Sequence, residues 1–321
     1  MTKTYQGGVP LAEVVRSGFA ESAHRGSIAV LTATGSMLVS AGDIESPIFP
    51  RSASKPLQAV GMLRSGLRLA DPADLALVCA SHHGEQRHVA RVAALLAGAG
   101  LSPAALRCPP DLPVSEDART TVLRAGGGRS RLQMNCSGKH TGMLLTCLAA
   151  GWPTDGYWRP EHPLQERISA AIEEFTGEPA VAVGVDGCGA PVLSASLTGL
   201  ATAYLRLVSA EPGSVPRTVA DAMRAHPTLV AGTGPTAYDS QFLAAVPGLL
   251  VKGGAEGVIA AALLGVGAVA VKVDDGAGRA CLPALTAGLR RLGVTASIPP
   301  ELAEPVVYGG GEPVGAVRAL W

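Results

Sequence analysis

Arg51-Ser52-Ala53-Ser54-Lys55-Pro56 heads a helical pattern, with apolar residues following at 57, 60 and 63. That spacing predicts a helix over 52–63, with Ser52 and Lys55 one turn apart on the same face. Ser54 is adjacent to Lys55 and points elsewhere. A buried lysine crowded by cations loses its proton and can take one from a hydroxyl, which makes Ser52 a candidate nucleophile. The free N–H groups of the first turn could hold an oxyanion. The competing reading is a helix start, with Ser52 as N-cap and Lys55 solvated.

Two other stretches weigh against that simpler reading. Lys252-Gly253-Gly254 resembles the Lys-Thr-Gly element that accompanies Ser-x-x-Lys in penicillin-recognising enzymes and serine glutaminases. Between them in sequence lies Ala80-Ser81-His82-His83-Gly84-Glu85, directly after the apolar run Leu75–Cys79. Buried segments that end in Ser, His and Glu often supply site residues. A turn leading into a helix, with Glu85 in its first turn, accounts for the same letters.

The lysines are scarce. The chain has 321 residues, 26 basic and 26 acidic, yet only five of the basic ones are lysine: 3, 55, 139, 252 and 272. Lys3 falls in an expected tail, and Lys272 on a predicted strand with no assigned chemistry. Lys55, Lys139 and Lys252 stand among small residues. A buried lysine can lose its proton and an arginine effectively cannot, so these three mark places where a removable proton matters. A neutral balance argues against nucleic acid or an anionic membrane as partner. Twelve aromatics are too few for a base-stacking platform. With 47% apolar and 16% charged residues, disorder is excluded. Residues 1–15 hold no run resembling a signal peptide, and the longest apolar stretch, Val258–Val271, is too short to span a bilayer. The expectation is a cytoplasmic protein whose six cysteines are thiols or metal ligands.

The element pattern is mixed. A hairpin is predicted from Ile28–Thr32 and Met37–Ser40, and helices over 85–96, 138–150, 164–175, 218–225 and 282–292. Strands are predicted at 181–185, 191–197 and 268–273. Residues 258–264 read as a core helix and 100–130 as a loop-rich connection. No dinucleotide fingerprint is present.

Cys136 precedes Lys139 and His140, and Cys188 sits in Asp186-Gly187-Cys188-Gly189. Two thiolates and a nitrogen donor suit Zn²⁺ with one position left for water. Spacing alone favours His140 as the nitrogen. The alternative is a pair of buried, unligated thiols.

Together these motifs resemble class 3 (rhizobial-type) L-asparaginases. Asn135-Cys-Ser-Gly-Lys-His, Asp186-Gly-Cys-Gly, His226-Pro, Lys252-Gly-Gly-Ala-Glu-Gly and Lys272-Val-Asp-Asp-Gly follow the first two in the family's order. The resemblance implies a serine β-lactamase/glutaminase-like α+β fold: a central antiparallel sheet flanked by helices, one catalytic domain over 1–321 with room for two lobes. It implies hydrolysis of L-asparagine, a homodimer, and two Ser–Lys tandems, Ser52 with Lys55 and Ser81 with Lys252. It implies Cys136, Lys139 and Cys188 as zinc ligands, displacing His140, and Arg51, Glu85 and Asp186 as substrate-side residues. Rival readings are a glutaminase or β-lactam-reactive acylase, and a non-catalytic zinc-binding protein. One departure is local. The family more often has a hydroxyl or another small residue where Gly253 stands.

Overall fold

The structure, a computed structural model, describes residues 4–296 and 298–321; the tail residue Lys3 lies outside them. The chain opens with β1 (Val9–Arg16), β2 (Phe19–Thr32) and β3 (Met37–Ala41). A 3-10 turn, Arg51–Ser54, runs into α1 (Lys55–Arg64). Then come α2 (Pro72–Val78), α3 (Gln86–Gly98), α4 (Glu116–Arg124), α5 (Ser137–Ala150) and α6 (Pro163–Thr176). A small ribbon, β4 (Val183–Val185) with β5 (Pro191–Leu193), precedes α7 (Leu197–Ser209), α8 (Val215–Ala225), α9 (Pro227–Val230) and α10 (Tyr238–Ala245). The chain returns as β6 (Leu249–Gly254), β7 (Val258–Leu263) and β8 (Gly267–Val273), passes through α11 (Gly278–Arg291) and α12 (Pro300–Ala303), and ends in β9 (Val306–Gly309) and β10 (Glu312–Ala319).

The main sheet is antiparallel in the order β6-β7-β8-β2-β1-β10-β9, with β3 also on β2. It is flanked by helices, as the resemblance implies. Consecutive residues of β7 and β8 are buried, so both faces of these strands are covered. Gly288 of α11 lies against Val269 and Ile28 on one face. The register puts Ala260, Ala262, Ala268 and Ala270 on the other, where their small side chains let α7 approach. Lys252 pairs with Ala260 and so shares that second face.

Two expectations are corrected and a third is refined. Residues 258–264 do not form a helix; they are strand β7 with the start of a turn. A run such as Val-Ile-Ala-Ala-Ala-Leu-Leu, buried on both sides, carries no period to tell strand from helix. The strand expected over 191–197 stops at Leu193, and Ser196 caps α7 by accepting the Gly199 N–H at 2.8 Å. The 100–130 connection contains a 3-10 turn, Pro103–Ala105, and α4. Among the described residues no helix is long and apolar enough to cross a membrane.

Candidate active site

The head of α1, the segment after α2 and the end of β6 converge. Arg51 adopts a left-handed backbone (φ 53°), unusual for a residue with a Cβ. Its Nε donates to Asp186 Oδ1 at 2.6 Å, which ties the turn to the β4–β5 loop. Tyr204 of α7 donates to Ala53 O at 2.8 Å. Gly254 presses on the same turn, because a Cβ there would stand 2.4 Å from Pro50 O. Ser52 lies in this turn and is partly exposed.

Lys55 is 1% exposed. Its Nζ donates to Ala80 O at 2.5 Å and to Ser81 Oγ at 2.9 Å. Burial lowers its pKa; Cys136 opposes this, and Lys252 and Lys139 add to it. These hydrogen bonds join Lys55 to Ser81, whereas the motif reading pairs it with Ser52. Residues 81–83 run as an extended bridge, held by Ser81 N–H to Val230 O, His82 N–H to Asn135 O and His83 N–H to Ala231 O.

Lys252 is equally buried. Its Nζ forms an ion pair with Asp239 Oδ2 and donates to Gly253 O at 2.8 Å. Asp239 Oδ1 accepts the Gly253 N–H at 2.8 Å. The hydrogen bonds of Lys252 thus go to Asp239 and its own strand, where the tandem reading has Ser81.

A sulfur–nitrogen cluster borders the Lys55 side. α5 begins close against α2, since a Cβ on Gly138 would stand 2.3 Å from Leu77 O. This sets Lys139 inside, where its Nζ donates to Cys188 Sγ at 3.1 Å. Burial lowers the Lys139 pKa, but the facing sulfurs of Cys188 and Cys136 outweigh it and raise it overall. Contact with Cys136, opposed by burial and helped by Lys139, holds the Cys188 thiol far below its ordinary range, while Cys136 is pushed up by the same contact and by burial. His140 Nδ1 pairs with Tyr157 Oη at 2.7 Å. Its Nε2 is buried beside Cys188 without a well-formed hydrogen bond. Among the described residues no three His, Cys, Asp or Glu side chains gather as a metal site. The two converging thiols are donors of the kind Zn²⁺ takes, and the Lys139 amine stands within hydrogen-bond reach of one of them.

Of the substrate-side candidates, Arg51 and Asp186 face each other, with their side chains 23% and 12% exposed. Glu85 is engaged elsewhere. It accepts from Thr233 N–H at 2.7 Å and pairs with Arg87 at 3.1 Å. Lys272 lies outside the cluster, donating to Glu256 O at 2.7 Å, and lines a cavity of about 550 Å³ that Arg51 also borders.

Sequence reasoning missed Asp239, Tyr157 and Tyr204. Asp239 stands 13 residues before Lys252, in Tyr238-Asp239-Ser240, which carries no motif. His82 and His88 are framework residues. Their rings stack at 5.0 Å, and each uses both nitrogens in hydrogen bonds.

A comparison with curated protein sequences returns no match. Solved structures similar to the chain include one described as Mglu in its native form, with 17% identity, a TM-score of 0.43 and coverage of 83% of this chain. The chain spans 63% of the length of that protein. A putative β-lactamase from Bacteroides dorei shares 15% identity with a TM-score of 0.46, over 83% of this chain and 92% of that one. A Bacillus glutaminase shares 14% with a TM-score of 0.36, over 84% and 91%. The family model for L-asparaginase II matches residues 12–319, nearly the whole chain, and the chain belongs to that family.

Proposed function

We propose that the chain hydrolyses L-asparagine to L-aspartate and ammonia through an acyl-enzyme on Ser52. The observation that carries this reading is Lys55: buried, lowered in pKa, and joined to Ser81. A neutral amine has two N–H groups and one lone pair. Ala80 O and Ser81 Oγ take the two donors, so the lone pair remains for the Ser52 proton. Ser52 Oγ bonds to the carboxamide carbon as its proton moves to Lys55 Nζ. Collapse of the adduct breaks the C–N bond, and the proton passes from Lys55 through Ser81 to the departing nitrogen, which leaves as ammonia. Water then cleaves the ester, releasing aspartate and restoring the Ser52 hydroxyl. Backbone N–H groups of the 51–54 turn stabilise the oxyanion. The Arg51 fork receives the substrate α-carboxylate, and Asp186 receives the α-ammonium. Glu85 remains an outer substrate-side candidate.

Cys136, Lys139 and Cys188 would hold a Zn²⁺ ion, which when bound supplies fixed positive charge that keeps the thiols ionised and shapes the site. A ligating lysine must be neutral, so Lys139 would release its proton on binding. The family resemblance also supports a cytoplasmic homodimer; light scattering giving twice the chain mass would support the dimer, and a monomer would exclude it.

Ammonia release from asparagine, glutamine and a chromogenic cephalosporin, compared side by side, tests the substrate. Asparagine turnover should dominate. Ser52→Ala should lose it by at least about 10²-fold, and Ser81→Ala by about 10²–10⁴-fold, the range for one acid–base participant. Full turnover in Ser52→Ala sinks the nucleophile assignment.

A further inference from the structure

Lys252 and Asp239 are both nearly excluded from solvent, with side chains 1% and 10% exposed, and they meet as an ion pair. The geometry is closed on three sides. Asp239 Oδ2 holds Nζ, Asp239 Oδ1 holds the backbone N–H of the next residue, and Gly253 O takes a second N–H of the amine. An ammonium has three N–H groups and no lone pair. Two are committed, which leaves one to point at a reacting group. The absence of a side chain at 253 belongs to this arrangement, since a Cβ there would stand 3.1 Å from Asp239 Oδ1.

We propose that Asp239 is a positioning residue that fixes Lys252 as a cation aimed into the serine–lysine cluster, so that Lys252 orients and donates while Lys55 alone serves as base. This deepens the amidohydrolase reading and rests on it for its kinetic part. The two lysines then divide the work by surroundings. Lys55 touches only a carbonyl and a hydroxyl, and Lys252 touches a carboxylate. The charged and titratable groups around Lys252 are Asp239 on α10, Lys55 on α1, His83 on the 81–85 segment and Cys79 at the end of α2. Of these only Asp239 is a carboxylate. Its removal leaves the Lys252 charge buried without a counter-ion, a state that favours the neutral amine.

The test uses Asp239→Asn, Asp239→Glu and Lys252→Arg in the full chain. Asp239→Asn should lower kcat/KM for asparagine by about 10²-fold at neutral pH, within the range for one acid–base participant. It should also move the alkaline limb of the pH profile to lower pH, and Asp239→Glu should recover part of both. Lys252→Arg cannot act as a base, so retention of a tenth or more of turnover supports the fixed cation. A folded but inactive Lys252→Arg whose companion Asp239→Asn leaves the pH profile unmoved overturns it. A second readout needs no substrate. With five lysines in the chain, ¹³Cε-lysine NMR resolves Lys252, assigned by its loss in Lys252→Met. Its signal should titrate at lower pH in Asp239→Asn than in the parent, and identical titrations overturn the proposal. If the parent releases ammonia from no amide, the functional reading fails while the NMR result still decides Asp239.

Discussion

Gly254 carries no chemistry, yet it sets the distance between β6 and the Ser52 turn. Its missing Cβ would sit 2.4 Å from a backbone oxygen that has no rotamer through which to escape. Gly254→Ala must therefore push the 50–53 turn away from β6. We expect a loss of about 1–3 kcal/mol, typical of overpacking a tight seam, together with a fall in kcat. Denaturant midpoint and asparagine turnover, measured on the same sample, check it. A variant that matches the parent in both would mean the seam has slack. At this scale the sequence was informative where a residue type is rare. Lys55, Lys139 and Lys252 stood out among five lysines, and all three are buried. It was silent on Asp239, because a carboxylate on a plain helix becomes a counter-ion only when α10 is laid beside β6. It did not reveal the resting hydrogen-bond partners of the lysine amines. Motif spacing describes one helical turn, whereas Lys55 reaches across to the segment after α2.

Among the elements, the two that hold the sulfur cluster meet through side chains. Cys136 and Lys139 stand at the head of α5, and Cys188 stands in the loop after β4. Zinc bound at these three residues would clamp the loop to the helix and, through Asp186, brace Arg51. Loaded protein should therefore melt higher than chelator-treated protein, by the equivalent of about 2.7 kcal/mol at a hundredfold excess over Kd. Cys188→Ser should erase the difference. Equal melting with and without chelator, in a chain that carries no zinc by elemental analysis, removes the metal from the reading. Long helices such as α5 and α6 were legible because one face is apolar at helical spacing and Gly151 or Gly177 ends each in a left-handed cap. β7 was not, because burial on both faces erases alternation, and its real signals are the bounding glycines 257 and 265, both at positive φ.

Across the whole molecule, buried histidines join parts that are distant in sequence. His82 accepts the Gly84 N–H at Nδ1 and donates from Nε2 to Ser137 Oγ on α5. His88 accepts the Glu85 N–H at Nδ1 and donates from Nε2 to Thr228 O on α9. Each ring is thereby fixed as one neutral tautomer, and a second proton would place an N–H against an N–H. Burial first, then neighbouring positive charge, holds His82 well below the ordinary 6.5. Burial also lowers His88, against the opposing pull of Thr228 O and Glu85. In the unfolded chain both titrate near 6.5, so below that pH the unfolded state binds protons that the folded state refuses. Stability is then complete above about pH 7 and declines as pH falls through 6.5, by up to about 1.4 kcal/mol per pH unit for each imidazole that must charge. Carboxylates contribute in a lower window. Arg64 lowers Glu174, and the backbone N–H groups of Gln6 and Ser46 lower Asp43 against the effect of burial, so their support is lost only below about pH 4. Urea unfolding at pH 8, 7, 6 and 5 stays above the carboxylate window and reads the histidine window alone. A free energy that stays level down to pH 5 would show that these rings accept protons in place, and that the links from the 82–88 segment to α5 and α9 are softer than their geometry implies.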